Sequence, residues 1–171
     1  MQNAKDTFYE VMRARVAAGN PDRTIVLRGV VRAGVVVMEN ELVSGVELTD
    51  CFRLSWSESK VDANGAMPMV AMTCEIAYET AGTAASAGMD RGRMLAAMDG
   101  ELLKAVRTSP QRALKQNYAG LAFGQAVIAM KTNIWWGHVV FGAVVVEGER
   151  LKRAATVQVI CYQEPQEAGE L

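Results

Sequence analysis

The sequence predicts an α+β domain in which a mixed, mostly antiparallel β-sheet is packed by two main α-helices. Three observations predict it. Segments 3–18 and 90–107 repeat apolar side chains at three and four positions, the period of a helix that buries one face. Others alternate apolar and polar residues, the period of a strand with one buried side. The last third holds two long strand-like stretches joined by Glu147-Gly148-Glu149-Arg150, which reads as a hairpin.

In the first helix Phe8, Val11, Met12 and Arg15 fall at helical spacing, Asn3 stands as the expected N-cap, and Gly19-Asn20-Pro21 supplies a stop. The valine-rich segment 24–38 predicts two strands joined tightly at Arg32-Ala33-Gly34. Phe52, Leu54 and Trp56 alternate with Arg53, Ser55 and Ser57 and predict a third strand. After the turn signal Asp62-Ala63-Asn64-Gly65, the next strand sets Val70, Met72, Cys74, Ile76 and Tyr78 on one face.

Residues 81–89 are small and weakly patterned, so a flexible connection is expected there, a mobile loop or a contact arm. Asp90 is the expected cap of the second helix, along which Met94, Leu95, Met98, Leu102 and Val106 repeat. Beyond Ser109-Pro110 about twenty residues, through Lys115, Asn117 and Gly120, show no sustained period; a loop of that length in a compact domain usually has a function. The closing hairpin covers 134–146 and 151–162, with Val157, Val159 and Cys161 alternating. One domain over 1–164 is expected, followed by a loose acidic tail over 165–171.

The totals narrow the function classes. A chain of 171 residues fits one core and buries roughly two thirds of its unfolded surface. Half of the residues are apolar and 22% are charged, the composition of a globular protein. A net charge of −1 and a pI near 5.9 give no global attraction to phosphate or to an anionic membrane. Apolar runs such as 139–146 fall well short of the roughly 20 residues that span a bilayer. The first residues lack a basic start, apolar middle and cleavage site, so a cytoplasmic protein with no membrane partner is expected. Cys51, Cys74 and Cys161 form no C-x-x-C pair and are read as reduced, packed thiols in three separate strands.

Little in the sequence points to chemistry. His138 is the only histidine, so one chain builds no histidine metal cluster, and a structural place at a strand start is expected for it. Gly29, Gly34 and Gly45 follow no phosphate-binding fingerprint. Asp62 and Asn64 before Gly65 open like a calcium loop, but the glycine comes too early and no glutamate closes the motif. Glu39-Asn40-Glu41 is read as a solvated loop. No catalytic residue, metal site or cofactor is therefore expected.

Two features bear on partners. Arg91, Arg93, Lys104, Arg107, Arg112 and Lys115 concentrate positive charge in and after the second helix, either as a solvated face or as contact with an acidic partner or passing DNA. Trp135 and Trp136 are adjacent, so on a strand they point to opposite faces and only one enters the core. The other is a candidate subunit or partner contact.

The strand Val70-Ala71-Met72-Thr73-Cys74-Glu75-Ile76-Ala77-Tyr78-Glu79-Thr80, the small-residue connection, the entry Met89-Asp90-Arg91-Gly92-Arg93-Met94-Leu95 and the closing Ala155-Thr156-Val157-Gln158-Val159-Ile160-Cys161-Tyr162 together form an order. That order resembles the tail terminator proteins of long-tailed phages, small α+β subunits that cap the tail tube. Segments 34–50 and 108–130 depart from the shortest members. The resemblance implies a ring of this chain with itself, commonly a hexamer, seated on the last ring of tail-tube protein. The ring would stop tube polymerisation and present a surface to the head-tail connector protein. DNA would meet it only in passage through the lumen, where Arg112 and Lys115 are the candidate lining residues. The protein would be cytoplasmic during assembly and then part of the virion tail. Two other readings stay open: a head-tail completion, tube or baseplate component of a contractile device, and a small-molecule-binding or enzymatic α+β domain with a site shared between subunits.

Overall fold

The computed structural model describes residues 1–41 and 48–167. In chain order the elements are α1 (Gln2–Gly19), β1 (Thr24–Leu27), β2 (Val30–Ala33), β3 (Val35–Val37), α2 (Met38–Glu41), β4 (Phe52–Asp62), β5 (Met69–Thr80), α3 (Arg91–Arg107), β6 (Arg112–Asn117), β7 (Ile128–Phe141), β8 (Val145–Glu147) and β9 (Arg150–Tyr162). The main sheet runs β3-β4-β5-β9-β7-β6, with β8 also on β9; β3 pairs β4 in parallel and every other pair is antiparallel. This is the expected α+β architecture.

The period-2 strands set one apolar face toward the helices. Val70, Met72, Cys74, Ile76 and Tyr78 on β5 are buried, opposite Cys161, Val159, Val157 and Ala155 on β9. Phe8, Met12 and Val16 of α1 and Leu95, Met98, Leu102 and Val106 of α3 close over that face to make one core. Along β7 simple alternation would place His138 inward, but a bulge between Trp136 and Val139 adds residues there. Trp136 and Val139 therefore both face the helices, and His138 stays exposed within the strand rather than at its start.

Among the described residues, the opposite face of the sheet carries no long helix. Ala71, Thr73, Glu75 and Ala77 of β5 lie there, beside Thr156, Gln158 and Ile160 of β9 and Trp135 of β7.

Several local expectations are corrected. The segment 24–38 makes three strands, not two. Its first break is Arg28-Gly29, both with positive φ (50° and 79°), the geometry of a type I′ hairpin turn; Gly34 then separates β2 from β3. The hairpin β1–β2 packs Ile25 on a small second cluster with Val36, Leu48 and Cys51. Cys51 thus precedes β4 and does not lie in a strand, although all three thiols are free and buried.

Asn3 does not cap α1. It lies inside the first turn, and its amide donates to Glu167 Oε1 at 3.3 Å, a buried partner that sequence distance hides. Asn20 ends the helix in an extended conformation, not a left-handed one, with its amide donating to Glu101 at 2.8 Å. Asp90 precedes α3 but makes no cap bond. Its carboxylate instead accepts from the Ser86 hydroxyl at 2.6 Å and from the Thr83 amide and hydroxyl at 2.9 and 2.8 Å, which hold its carboxyl down at about 2. Segment 81–89 is accordingly a hydrogen-bonded turn with a 3₁₀ element at Ala84–Ser86 rather than a featureless linker.

The long loop expected after Pro110 contains the edge strand β6 and a 3₁₀ turn at Ala119–Phe123. The inward positions of β6 are Ala113 and the charged Lys115, so the apolar alternation that would have announced the strand is missing; the register shift opposite Leu114 and Gln116 adds its extra residues to β7. At the other end, Pro165–Glu167 forms a 3₁₀ turn whose Glu167 is buried, so the boundary expected after Glu164 is corrected. Residues 168–171 of the expected tail, like 42–47, lie outside the described residues.

Candidate assembly surfaces

Several buried ionisable groups are paired with one another inside the fold. Burial pushes the Cys51 thiol up to about 11 and raises Cys74 and Cys161 as well, the opposite of a nucleophilic cysteine. Glu79 is met by Arg53 at 3.2 Å, Arg150 at 2.9 Å and Lys152 at 3.4 Å; burial raises its carboxyl, but Arg53 and Lys152 bring it below the ordinary range. Asp99 accepts from the Tyr78 hydroxyl and from Arg153, and Glu101 is bound by Arg23 and Asn20.

Glu41, expected in a solvated loop, ends the short helix α2. It ties together Arg13, Arg32 and the Tyr9 hydroxyl, while Glu39 accepts from the Trp56 amide at 2.9 Å. No group of three or more histidine, cysteine, aspartate or glutamate side chains placed to hold a metal occurs among the described residues. A concavity of about 400 Å³ is lined by Ala81, Gly82, Thr83 and Gly88, and its two charged residues, Arg91 and Glu149, are paired to each other at 2.9 Å.

The two tryptophans separate as their adjacency demands. Trp136 is buried: its indole nitrogen donates to the Val106 carbonyl at 3.0 Å, Phe8 meets its ring edge-on at 5.6 Å, and the Arg15 guanidinium lies 4.9 Å from it. It is a core residue, which corrects its candidacy as an interface residue. Trp135 lies half-buried on the helix-free face, edge-on to Tyr162 at 6.0 Å.

The two basic candidates separate too. Arg112 is exposed on the edge strand. Lys115 has 0% exposure; its ammonium donates to Glu167 Oε2 and to the Tyr162 carbonyl, both at 2.6 Å, and lies 3.8 Å from Glu164. A lumen-lining role needs a cation in solvent, so Lys115 is corrected to a structural one.

What the fold leaves open is apolar. On the hairpin β1–β2, Val26, Val30 and Val31 are each more than 60% exposed. Strand β6 covers β7 only as far as Trp135, so residues 137–147 keep a strand edge with no partner strand among the described residues. Val140, Val144, Val145 and Val146 stand exposed along it. Gly142 keeps this edge close to β9: its amide donates to the Ala154 carbonyl at 2.8 Å, and a Cβ there would lie 2.8 Å from that same oxygen. Leu121, Phe123 and Ile128 are exposed as well, Phe123 at 81%. None of these surfaces was legible as exposed from sequence, because valine-rich runs read equally well as buried strands.

No helix of the described residues is long and apolar enough to cross a membrane. No family model and no curated protein matches the chain. Among solved structures it is similar to a chain from the virion of a native gene transfer agent particle, at 14% identity and a TM-score of 0.30, covering 88% of this chain and 94% of that one. A likeness at that score carries no argument about what this chain does.

Proposed function

We propose that the chain is a structural subunit that caps a phage-type tail tube as a homo-oligomeric ring, ending tube polymerisation and offering a joining surface to a head-side connector. The observation that supports this is the pairing of a closed, chemically occupied interior with exposed apolar strand edges. Large exposed apolar patches on an otherwise well-packed domain mark surfaces that other protein covers, and an unpaired strand edge templates pairing with another chain. Trp135, on the helix-free face, is the aromatic anchor of such a contact. Arg112 is the basic residue free to face a lumen through which DNA passes.

Inactivating the gene in the cells that carry it, then restoring either the native chain or Val145→Asp/Val146→Asp, tests the reading by electron microscopy of the particles. Cells lacking the chain should make tail tubes of unregulated, extended length. The native chain should restore a single length, and the double variant, which puts two carboxylates on the open edge, should not. Tails of normal length and normal head attachment without the chain would overturn the proposal.

A further inference from the structure

Two patches of opposite charge indicate how one copy would meet the next, an inference that rests on the ring reading. On α1, Asp6 and Glu10 lie one turn apart beside Tyr118 and Leu121, around a concavity of about 190 Å³. Asp6 accepts hydrogen bonds from the neutral amides of Gln2 and Asn40 and is in no ion pair among the described residues. The Glu10 carboxyl is raised by burial and by the neighbouring charges of Glu41 and Asp6, even though Arg13 approaches it at 3.0 Å. Asp6 is thus the carboxylate of this flank that no cation meets among the described residues, while Glu10 shares Arg13 with Glu41.

On α3, Leu103, Lys104 and Arg107 stand exposed and line a concavity of about 350 Å³. Neither cation is in an ion pair among the described residues. They face away from the buried stripe of Leu95, Met98, Leu102 and Val106, as helical spacing requires.

Within one chain these patches do not meet. Asp6 and Arg15 are about two and a half helical turns apart and so lie on opposite sides of α1. Arg15 is the residue that reaches α3, donating to the Ala105 carbonyl at 3.0 Å, which leaves the acidic flank turned away from α3. Each patch finds its complement on a second copy.

We infer that the acidic flank of α1 in one copy receives Lys104 and Arg107 of the next, with Leu103 set against Leu121. A contact between two different patches is head-to-tail, repeats from copy to copy, and closes into a ring when the rotation permits. Opposite charges at such a contact fix register and discourage wrong pairings.

The test uses two double variants, Asp6→Lys/Glu10→Lys and Lys104→Glu/Arg107→Glu, with light scattering behind a sizing column. The first carries positive charge on both patches and the second negative charge on both. Each alone should associate about tenfold or more weakly than the native chain, because like charges then face each other. An equal mixture of the two should recover the native multimer, with the variants alternating around the ring. Recovery on mixing also shows that both are folded. If one fails to fold, Asp6→Asn and Arg107→Gln should each weaken association alone, and high salt should weaken the native multimer. Native-like assembly of either double variant, or folded variants that do not reassemble on mixing, overturns this contact while leaving the ring reading intact. A native chain that never associates removes both.

Discussion

Replacing Lys115 with methionine should cost about 3–5 kcal/mol of folding stability at neutral pH, the cost of breaking a buried ion pair by removing one partner. Lys115 is fully enclosed, and the Glu164 and Glu167 carboxylates beside it are almost fully buried. Removing the ammonium leaves Glu164 without its cation and Glu167 with only the N-terminal ammonium, 3.7 Å away, and methionine fills much of the volume, so the loss reports on charge more than on packing.

The pH dependence separates these terms. Burial raises the Glu164 carboxyl, but hydrogen bonds from the Thr132 hydroxyl and amide, the Lys131 amide and the charge of Lys115 bring it below the ordinary range. For Glu167 burial likewise raises the value, and the Lys115 ammonium, the Glu164 amide and the Lys115 charge outweigh it. A depressed folded-state value contributes stability that is present above the unfolded glutamate value near 4.5 and is lost as pH falls through the folded one. The native chain should therefore lose stability in that acid window. The Lys115→Met deficit should be largest at neutral pH and should narrow as the carboxylates protonate. Urea melts of both proteins across the acid range check this, and a deficit independent of pH would show that packing alone was lost.

Trp136→Ala should be comparably severe, about 3–5 kcal/mol, the range for truncating a large buried aromatic. The indole fills the space between α1 and the sheet and satisfies the Val106 carbonyl at the end of α3, so its loss opens a cavity and leaves a buried acceptor unpaired. Trp135→Ala, one residue away on the other face, should cost the isolated chain much less and fall instead on assembly. Parallel thermal melts and association measurements on the two variants check the split. Equal loss of stability in both would mean that the two faces of β7 are not distinct in the way described.

The contrast between these neighbours shows what a sequence carries. Period-2 patterning gives a side chain's face, so β5, β9 and the apolar stripe of α3 were readable residue by residue, and adjacency alone required Trp135 and Trp136 to part. It does not give distance. Lys115 lies 52 residues from Glu167, and nothing local distinguishes a lysine that will be walled in from one that will stand in solvent. The same holds for Glu41, whose arginine partners come from α1 and β2, and for Asp90, whose best acceptor role lay in the loop behind it rather than the helix ahead. Two features hid the rest: β6 carries a charged residue, Lys115, at its buried position, and after Trp136 a bulge reversed the face on which Val139 and Val140 would have been placed.

Exposure of apolar strands is a further quantity that pattern leaves undetermined. Val30 and Val31 belong to a hairpin with only a small cluster beneath it, whereas Val35 and Val37, a few residues on, are core. Only the fold separates the valines that hold this chain together from those left in solvent.

The central claim is that those waiting surfaces are covered by further copies of the same chain, and native mass spectrometry of the purified protein over a range of concentrations tests it most directly. The account predicts a discrete closed multimer near six times the 18.5 kDa chain mass. A single 18.5 kDa species at every concentration would contradict it.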